Sequence, residues 1–375
     1  MVRLLIALVA LIAGFARAEE ALPPAPPLPV KAYFLLDHAT GTVLAESAAD
    51  ERLEPASLTK VMTAYVVFKA LREGRIALTD PVLVSERAWR MRGSRMFIEV
   101  GSRVPVEDLL RGLIVQSGND AAVALAEHLA GSVDAFVALM NEEAAALGMT
   151  NTSFRNPSGL PAKEHYSSAR DQAVLARAII NEFPEYYGWY SEREYTWNDI
   201  KQYNRNRLLW RDEHVDGLKT GYTRAAGYCL VSSAERDGMR LIAVVLGAES
   251  ASQRTTAAER LLAYGFDHFE THRLFAAGEE LTAARVFGGA SEVTALGLLH
   301  DLVVTIPRGS YRALRASLTL PPRLIAPLAE HAEVGAVEVR LADKALAAAP
   351  VVALEAVAEG GPWTRLRDEV MLWFE

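Results

Sequence analysis

The amino-acid sequence predicts an α+β protein in which an antiparallel sheet packs against helices and is followed by a small β-rich domain. Three observations support this prediction. Strand-like alternation occurs near residues 32–45 and again near residues 228–246, helical spacing of apolar residues fills the stretch between them, and short β-like runs follow residue 273. Because strands flank a helical block, we expect one antiparallel sheet with helices packed on it.

The first 18 residues have the three parts of a secretory signal peptide. A positive charge at Arg3 precedes an apolar run over residues 4–15, and small residues lead up to Ala18. A run of about 12 apolar residues is too short for a membrane anchor, which needs about 20. We therefore expect export with cleavage after Ala18, and we expect residues 19–29, which are rich in proline, to form an extended tether.

The next domain is expected over residues 30–273 and contains most of the predicted elements. A helix at residues 57–71 follows Pro55 and ends before Gly74. Turn residues Asp237 and Gly238 indicate a hairpin between two late strands. In chain order we predict strands at 32–36 and 41–45, helices at 57–71, about 106–131, 133–147 and 169–181, and strands at 228–234 and 240–246.

The remainder of the chain is expected to form an accessory β-rich domain over residues 274–358 and a helical tail over residues 361–375. Strand-like runs occur at residues 302–306, 336–341 and 351–354. In a helix starting at Trp363, most large apolar residues fall on one side, although Arg367 and Leu372 interrupt the pattern. Such a helix is too short to span a bilayer. It can lie in the membrane interface, or it can dock on the β-rich domain.

The composition narrows the possible partners. The formal net charge is -8, and removal of the leader with Arg3 and Arg17 makes it -10, so nucleic acid is not an expected partner. The single cysteine, Cys229, cannot form an internal disulfide, and its apolar neighbours favour a buried structural thiol. With 51% hydrophobic residues the chain has ample material for a core.

Three short motifs, SLTK at residues 57–60, SGN at 117–119 and KTG at 219–221, stand in this order along the chain. On a helix, Ser57 and Lys60 share a face, so the lysine amine can reach the serine hydroxyl. Serine is a poor nucleophile without a base beside it, and Lys60 can be that base only when neutral. Burial and a second cation, for which Lys219 is the candidate, would both lower its pKa in the required direction. In isolation, however, Ser57 would be interpreted as a helix cap.

The other two motifs supply groups that suit a substrate cleft. Ser117 and Asn119 interrupt a helical stretch, and a turn there can direct a hydroxyl and an amide into a cleft. Lys219 and Thr220 lie where a sheet edge is expected, with a charge and a hydroxyl suited to a carboxylate, and Gly221 allows close approach of a substrate. Arg254 can return to the same rim, although a solvated helix arginine is the alternative.

The three motifs together resemble those of penicillin-binding proteins, and more narrowly those of the low-molecular-mass D-alanyl-D-alanine carboxypeptidases with a C-terminal β domain and an amphipathic tail. The likeness extends to QSGNDA at 116–121, YSSARD at 166–171, NRNRLLW at 204–210 and VDGLKTG at 215–221. It covers residues 30–265 with specific motifs. It implies a penicillin-binding/β-lactamase-like transpeptidase fold and no metal or organic cofactor.

The resemblance also implies a role for each site residue. Ser57 would be acylated by D-Ala-D-Ala stems of peptidoglycan and by β-lactams, with Lys60 as its base. The remaining implied residues are Ser117 and Asn119 in the proton and substrate network, Lys219, Thr220 and Arg254 at the substrate carboxylate, and Arg205 at the cleft wall. Tyr222 stands where relatives often carry histidine. If only its backbone N–H serves the oxyanion hole the change is benign, whereas a side-chain role would alter pH dependence or substrate preference.

The implied location is the periplasmic side of the bacterial inner membrane, with peripheral attachment through the tail. Oligomeric state stays open. An endopeptidase acting on cross-links uses the same reaction and is an alternative. A serine β-lactamase is disfavoured, because the region 151–206 has no Glu-x-x-Leu-Asn segment and the second motif contains glycine where aspartate is usual. A non-catalytic envelope scaffold is disfavoured by the intact Ser57, Lys60 and Lys219.

Overall fold

The computed structural model describes residues 22–372. The leader expected at residues 1–18 and the tail aromatics Trp373 and Phe374 lie outside the described residues. The helices are α1 Thr59–Arg72, α2 Glu86–Trp89, α3 Val106–Arg111, α4 Asn119–Ala130, α5 Val133–Ala146, α6 Ala169–Glu182, α7 Pro184–Tyr187, α8 Leu208–Arg211, α9 Ala251–His268 and α10 Pro362–Leu372. The strands are β1 Ala32–Asp37, β2 Val43–Ser47, β3 Pro81–Leu83, β4 Arg103–Pro105, β5 Glu194–Trp197, β6 Ile200–Tyr203, β7 Val215–Thr223, β8 Gly227–Arg236, β9 Met239–Ala248, β10 Phe269–Phe275, β11 Glu280–Phe287, β12 Val293–Gly297, β13 Leu302–Pro307, β14 Leu314–Thr319, β15 Leu324–Ile325, β16 Glu333–Leu341 and β17 Lys344–Ala353.

The central sheet has the strand order β2-β1-β9-β8-β7, and each neighbouring pair is antiparallel. The predicted hairpin between β8 and β9 turns at Asp237 and Gly238, whose φ angles of 51° and 79° are both positive. Such angles match the right-handed twist of the strands they join. The last strand, β7, lies at the edge of the sheet, where the KTG motif was expected. The predicted α+β class with an antiparallel sheet is confirmed.

Both faces of the central sheet are covered, which explains the nearly unbroken apolar runs in its strands. Val244 of β9 belongs to the core formed with α1 and α4, whereas the next residue, Val245, belongs to the core formed with α9. Successive side chains of a strand point to opposite faces, so one strand contributes to both cores.

Helices α1, α5 and α6 lie within one or two residues of their predicted bounds.

The long helical stretch predicted near residues 106–131 is broken at the SGN motif. Helix α3 continues into one wide π turn over Gly112–Gln116, and the next residue, Ser117, has a φ of 68°. A left-handed conformation is uncommon for a residue with a side chain, and wide turns of this kind often occur at functional sites. Helix α4 then starts at Asn119. The break therefore leaves Ser117 and Gly118 between two helical segments.

The β-rich part has its own core and two sheets. Its larger sheet has the order β14-β16-β17-β12-β11-β15, and β10 pairs with β13 in a separate two-stranded sheet. Predicted strands near residues 302–306, 336–341 and 351–354 correspond to β13, β16 and β17, while the others were not predicted. The domain boundary placed after residue 273 stays a prediction, and β10 runs across that position.

The two parts meet through buried polar contacts at the end of β1. The carboxylate of Asp37, which is fully buried, accepts hydrogen bonds from the hydroxyl of Thr40 at 2.9 Å and from that of Thr271 in β10 at 2.8 Å. The hydroxyls of Thr40 and Thr305 are 2.7 Å apart.

Among residues 22–372, no single helix is long and apolar enough to cross a membrane. Helices α4 and α5 reach the required length and apolar content only when taken together, and the chain bends by 88° between them.

Candidate active site

Ser57 lies in a tight turn that two glycines, Gly159 and Gly221, approach closely. A single 3₁₀ turn, Ala56–Leu58, leads into α1, and Ala56 has a φ of 46°, a conformation that L-residues rarely adopt. A Cβ atom on Gly159 would lie 1.8 Å from the carbonyl oxygen of Ala56, and one on Gly221 would lie 3.2 Å from the backbone nitrogen of Ser57. Glycine at both positions therefore lets neighbouring backbone surround the nucleophile.

Lys60 follows Ser57 by three residues, in the first turn of α1, and is almost fully buried. Its Nζ is 3.1 Å from Ser57 Oγ, 2.7 Å from Asn119 Oδ1 and 2.5 Å from the carbonyl oxygen of Ser158. Burial lowers the pKa of Lys60 to about 7, while the carboxylate of Asp120 acts in the opposite direction. The expected effect of burial is thus confirmed, whereas the expected contribution of Lys219 is corrected, because Lys219 is not a cause of this shift.

The SGN motif presents one side chain to Lys60 and another to the cleft. The amide Nδ2 of Asn119 donates to the carbonyl of Arg92 at 2.6 Å, which leaves Oδ1 facing the Lys60 amine. Ser117 is buried, and its Oγ has no hydrogen-bond partner among the described residues. A buried hydroxyl without a partner is costly, so this one is available to a ligand or a proton-transfer step.

Sequence reasoning missed Asp120, which follows the motif. Its carboxylate is buried and accepts backbone N–H groups from Met96 at 3.0 Å, Phe97 at 2.9 Å and Ala121 at 3.0 Å. These bonds hold the segment around Phe97, which has a φ of 70°, at the rim of the cleft. An acidic residue directly after the predicted interruption of the helical stretch was a possible signal, since such a residue commonly satisfies free N–H groups where a helix begins.

The KTG motif lies on β7, facing the Ser57 turn. Lys219 is buried, and burial together with the charge of Lys60 holds the pKa of Lys219 well below its usual value. Thr220 is also buried. The side chain of Tyr222 is 56% exposed, and the centre of its ring lies 4.3 Å from the centre of the Tyr228 ring. The tyrosine in place of histidine therefore extends outward along the rim.

Two arginines, Arg254 and Arg205, line the cleft and lie near enough to Lys219 for their charges to affect it. Arg254, in the first turn of α9, is only 6% exposed, so the alternative of a solvated helix arginine is not realised. Its Nε has no partner among residues 22–372, and its guanidinium lies 5.9 Å from the centre of the Tyr228 ring. Burial lowers the pKa of Arg254 from its usual range. Arg205 donates to the hydroxyl of Ser94 at 3.2 Å.

A cleft of about 780 Å³ joins these residues. Eight of the ten sequence-predicted site residues line it, namely Ser57, Ser117, Asn119, Arg205, Thr220, Gly221, Tyr222 and Arg254. Lys60 forms hydrogen bonds with three of the lining residues, Ser57, Asn119 and Ser158. Sequence reasoning missed the apolar rim, where Phe97, Ile200 and Tyr203 are each at least 40% exposed. Ile200 and Tyr203 belong to the β5–β6 hairpin, which the Asn198-Asp199 turn could have indicated.

A buried lysine beside a serine hydroxyl, in place of histidine, is the arrangement of enzymes that transfer acyl groups through a serine ester. Comparison with known proteins narrows this class. A family model described as D-alanyl-D-alanine carboxypeptidase matches residues 19–250, and one described as the C-terminal domain of penicillin-binding protein 5 matches residues 269–359. The chain belongs to the D-alanyl-D-alanine carboxypeptidase family of serine peptidases.

Individual relatives match over nearly the whole chain. The D-alanyl-D-alanine carboxypeptidase DacC of Escherichia coli is 47% identical, covering 97% of this chain and 93% of the relative. DacA of the same organism is 43% identical, covering 94% and 90%. The crystal structure of penicillin binding protein 5 from Haemophilus influenzae matches with a TM-score of 0.84 and 43% identity, covering 90% of this chain and all of that one. The fold and family implied by the resemblance are therefore confirmed.

Proposed function

We propose that the protein removes the terminal D-alanine from peptidoglycan pentapeptide stems through an acyl-enzyme on Ser57. The observation that carries this proposal is the buried Lys60 amine, 3.1 Å from Ser57 Oγ and with a pKa lowered to about 7. The purified protein is expected to release D-alanine from a pentapeptide ending in D-Ala-D-Ala, and penicillin is expected to block the release. A protein that releases no D-alanine under these conditions would contradict the proposal.

The contacts of Lys60 suggest how it acts as the base. A neutral amine has two N–H groups and one lone pair. The carbonyl oxygen of Ser158 and Oδ1 of Asn119 can only accept hydrogen bonds, so they take the two N–H groups. The lone pair is then left for the third neighbour, the hydroxyl of Ser57. Lys60 is thus oriented to remove the Ser57 proton as Oγ attacks a carbonyl carbon.

The proposed reaction needs only the groups of this cleft and one water molecule. Oγ of Ser57 bonds to the carbonyl carbon of the penultimate D-alanine, and the backbone N–H groups of Ser57 and Tyr222 are the proposed donors to the oxyanion. The C–N bond then breaks, and the leaving nitrogen receives a proton from the Lys60 ammonium, directly or through the Ser117 hydroxyl. A water molecule, deprotonated in the same way, hydrolyses the ester and releases the shortened stem.

The positively charged lining of the cleft is suited to the carboxylate of the departing D-alanine. Among its described residues, the lining of the cleft includes Lys201, Arg205, Arg207 and Arg254 but no aspartate or glutamate. Arg254 is buried with an unsatisfied Nε, and a guanidinium binds a carboxylate through two parallel hydrogen bonds. We assign Arg254, with Thr220 and Lys219, to the terminal carboxylate of the substrate.

Replacement of Arg254 by alanine should therefore affect free and blocked substrates unequally. Loss of a charge-assisted bidentate pair weakens binding of the free peptide acid by about 2 kcal/mol or more, roughly a thirty-fold loss in kcat/KM. The same peptide with an amidated C-terminus lacks the charge and should lose much less. Kinetics with the two peptides measure the ratio. Equal losses on both would assign Arg254 a structural role.

The two alternative activities, β-lactamase and endopeptidase, are less well supported. Rapid β-lactamase turnover needs a carboxylate beside the acyl-enzyme to activate water. The absence of acidic residues among the described lining residues supports a long-lived β-lactam ester instead. An endopeptidase acting on cross-links would use the same Ser57 and Lys60. Carboxypeptidase activity is the better-supported proposal because it is the activity named for relatives that match 97% and 94% of the chain.

We also propose that the protein is exported and held at the periplasmic face of the inner membrane by α10. This helix contacts the β-rich part through its polar side, where the buried carboxylate of Asp368 accepts from the backbone N–H of Gly288 at 2.8 Å. Its large apolar residues face outward, with Trp363 83%, Leu366 53% and Val370 51% exposed. A helix that simply docks on its domain would bury its apolar side instead.

Deletion of residues 361–375 should release a soluble enzyme with unchanged activity on small peptides. Each large apolar group can contribute about 1.5 to 3 kcal/mol to membrane binding if fully buried. Charge contributes little, because Arg365 pairs with Glu359 at 3.1 Å and Arg367 with Glu292 at 2.7 Å. Vesicle sedimentation at low and high salt measures the effect. If the full-length protein fails to sediment with vesicles, or is released by salt alone, the proposed anchor is wrong.

A further inference from the structure

The segment between α5 and α6 carries one of the two acceptors that orient Lys60. Residues 155–164 have no regular secondary structure, yet the carbonyl oxygen of Ser158 lies 2.5 Å from Lys60 Nζ. A main-chain carbonyl on a loop directs an amine only if the loop is fixed relative to the helix that carries the amine. The contacts that fix this loop therefore matter for the chemistry.

Part of the loop is held by its own side chains. Oδ1 of Asn156 accepts from the backbone N–H groups of Ser158 at 3.1 Å and Gly159 at 2.7 Å, while its Nδ2 donates to the carbonyl of Leu160 at 2.8 Å. These bonds close the turn but do not attach it to α1. The hydroxyl of Thr63 in α1 donates to the carbonyl of Pro157 at 2.7 Å and makes one such attachment.

A second attachment passes through His165, which is 4% exposed. Its Nδ1 is 2.9 Å from the backbone nitrogen of Arg155, so it must accept that N–H, and the ring proton then resides on Nε2. Nε2 lies 2.9 Å from the hydroxyl oxygen of Thr59, to which it donates. Burial and the charge of Arg155 lower the pKa of His165 to about 4, so the ring is neutral near pH 7. One ring thus bridges the loop and the first turn of α1.

We propose that His165 is a positioning residue for acylation: by joining the Arg155 backbone to Thr59, it holds the Ser158 carbonyl against Lys60 and directs the amine lone pair at Ser57. This inference rests on the proposed acylation of Ser57. Thr59 lies between Ser57 and Lys60 in the chain, so the bridge fixes the loop to the same helical turn that carries both reacting groups. A small loop displacement at such a site can cost about a hundred-fold in rate.

The test is the acylation of Ser57 by a chromogenic β-lactam, followed by stopped flow. The dependence on β-lactam concentration separates the dissociation constant of the initial complex from the first-order acylation constant. For His165→Phe, which fills the site without hydrogen bonds, we expect the acylation constant to fall about ten-fold or more and the dissociation constant to change little. His165→Gln has both a donor and an acceptor and should recover most of the loss.

Two further variants make the result interpretable. His38, at the turn between β1 and β2, has a ring Nε2 with no partner among the described residues, and His38→Phe should leave both constants unchanged. Thr59→Val removes the other end of the bridge and tests the proposal even if His165→Phe does not fold. If the two groups act as one unit, the loss in the double variant will be smaller than the product of the single losses.

The outcomes separate this inference from the proposed function. If the wild-type protein is not acylated at all, the proposed function fails. If the wild-type protein is acylated and folded His165→Phe or Thr59→Val reacts within about two-fold of it, His165 is structural only and the inference is overturned. Multiplicative losses in the double variant, or a change confined to the dissociation constant, would overturn it equally. Rescue by His165→Gln together with a fall in the acylation constant of His165→Phe would establish it.

Discussion

Replacement of Ser57 by alanine is expected to abolish both peptide hydrolysis and covalent labelling by penicillin. Ser57 Oγ is the hydroxyl within hydrogen-bond distance of the Lys60 amine, and no ester can form without it. The removed hydroxyl has Lys60 as its only hydrogen-bond partner among the described residues, so the variant should stay folded. Intact mass spectrometry should show one penicillin equivalent on the wild-type protein and none on Ser57→Ala.

Ser117→Ala is the matched control, because Ser117 is another small hydroxyl residue that lines the same cleft. Its Oγ is buried without a partner among the described residues, and it is proposed to relay protons rather than to form the ester. The Ser117 variant should still acquire the adduct, more slowly than the wild-type protein, and the adduct should map to Ser57. An adduct on Ser57→Ala, or one mapped to Ser117, would show that the nucleophile has been misassigned.

The sequence predicted those parts of the fold whose signals are local. The turn at Asp237-Gly238 and the apolar runs around it predicted β8 and β9, and the turn-forming residues of the SGN motif predicted the break after the π turn. The helix at Ser57 was also predicted, although Ser57 lies in the 3₁₀ turn Ala56–Leu58 that precedes α1. Short exposed strands such as β5 and β6 escaped prediction, because weak periodicity over four residues is hard to distinguish from a loop.

Much of the site could also be predicted, because its side chains are carried by recognisable motifs. What escaped prediction are contacts made by the main chain and by tertiary packing. The carbonyl of Ser158 has no side-chain signature, and the bridge through His165 depends on a contact with Thr59, which is 106 positions away in the chain. Burial was expected to lower the pKa of Lys60 and does so, whereas Lys219, the second expected cause, does not contribute to that shift. Which charges lie near a buried amine depends on tertiary packing and cannot be seen in the sequence.

The pH dependence of acylation should reflect Lys60. Only the neutral amine can accept the Ser57 proton, and a pKa lowered to about 7 makes the neutral fraction rise as pH increases through that value. The acylation rate should therefore fall about ten-fold per pH unit below the pKa and level off above it. An unperturbed lysine would still be increasing in rate up to about pH 10. Stopped-flow acylation between pH 5 and 9 distinguishes the two profiles.

Replacement of Lys60 by arginine is expected to reduce acylation by roughly two orders of magnitude or more, the usual loss when a general base is removed. An arginine does not deprotonate near neutral pH, so the variant has no lone pair to receive the Ser57 proton, and any residual rate should lose its inflection near pH 7. Lys69→Arg is the matched control: Lys69 lies on the same helix but pairs with Glu143 at 2.6 Å, and its rate should be unchanged. If folded Lys60→Arg stays within a few-fold of the wild-type rate, the base is another residue, and Lys219 is the first to test because it too is buried with a lowered pKa.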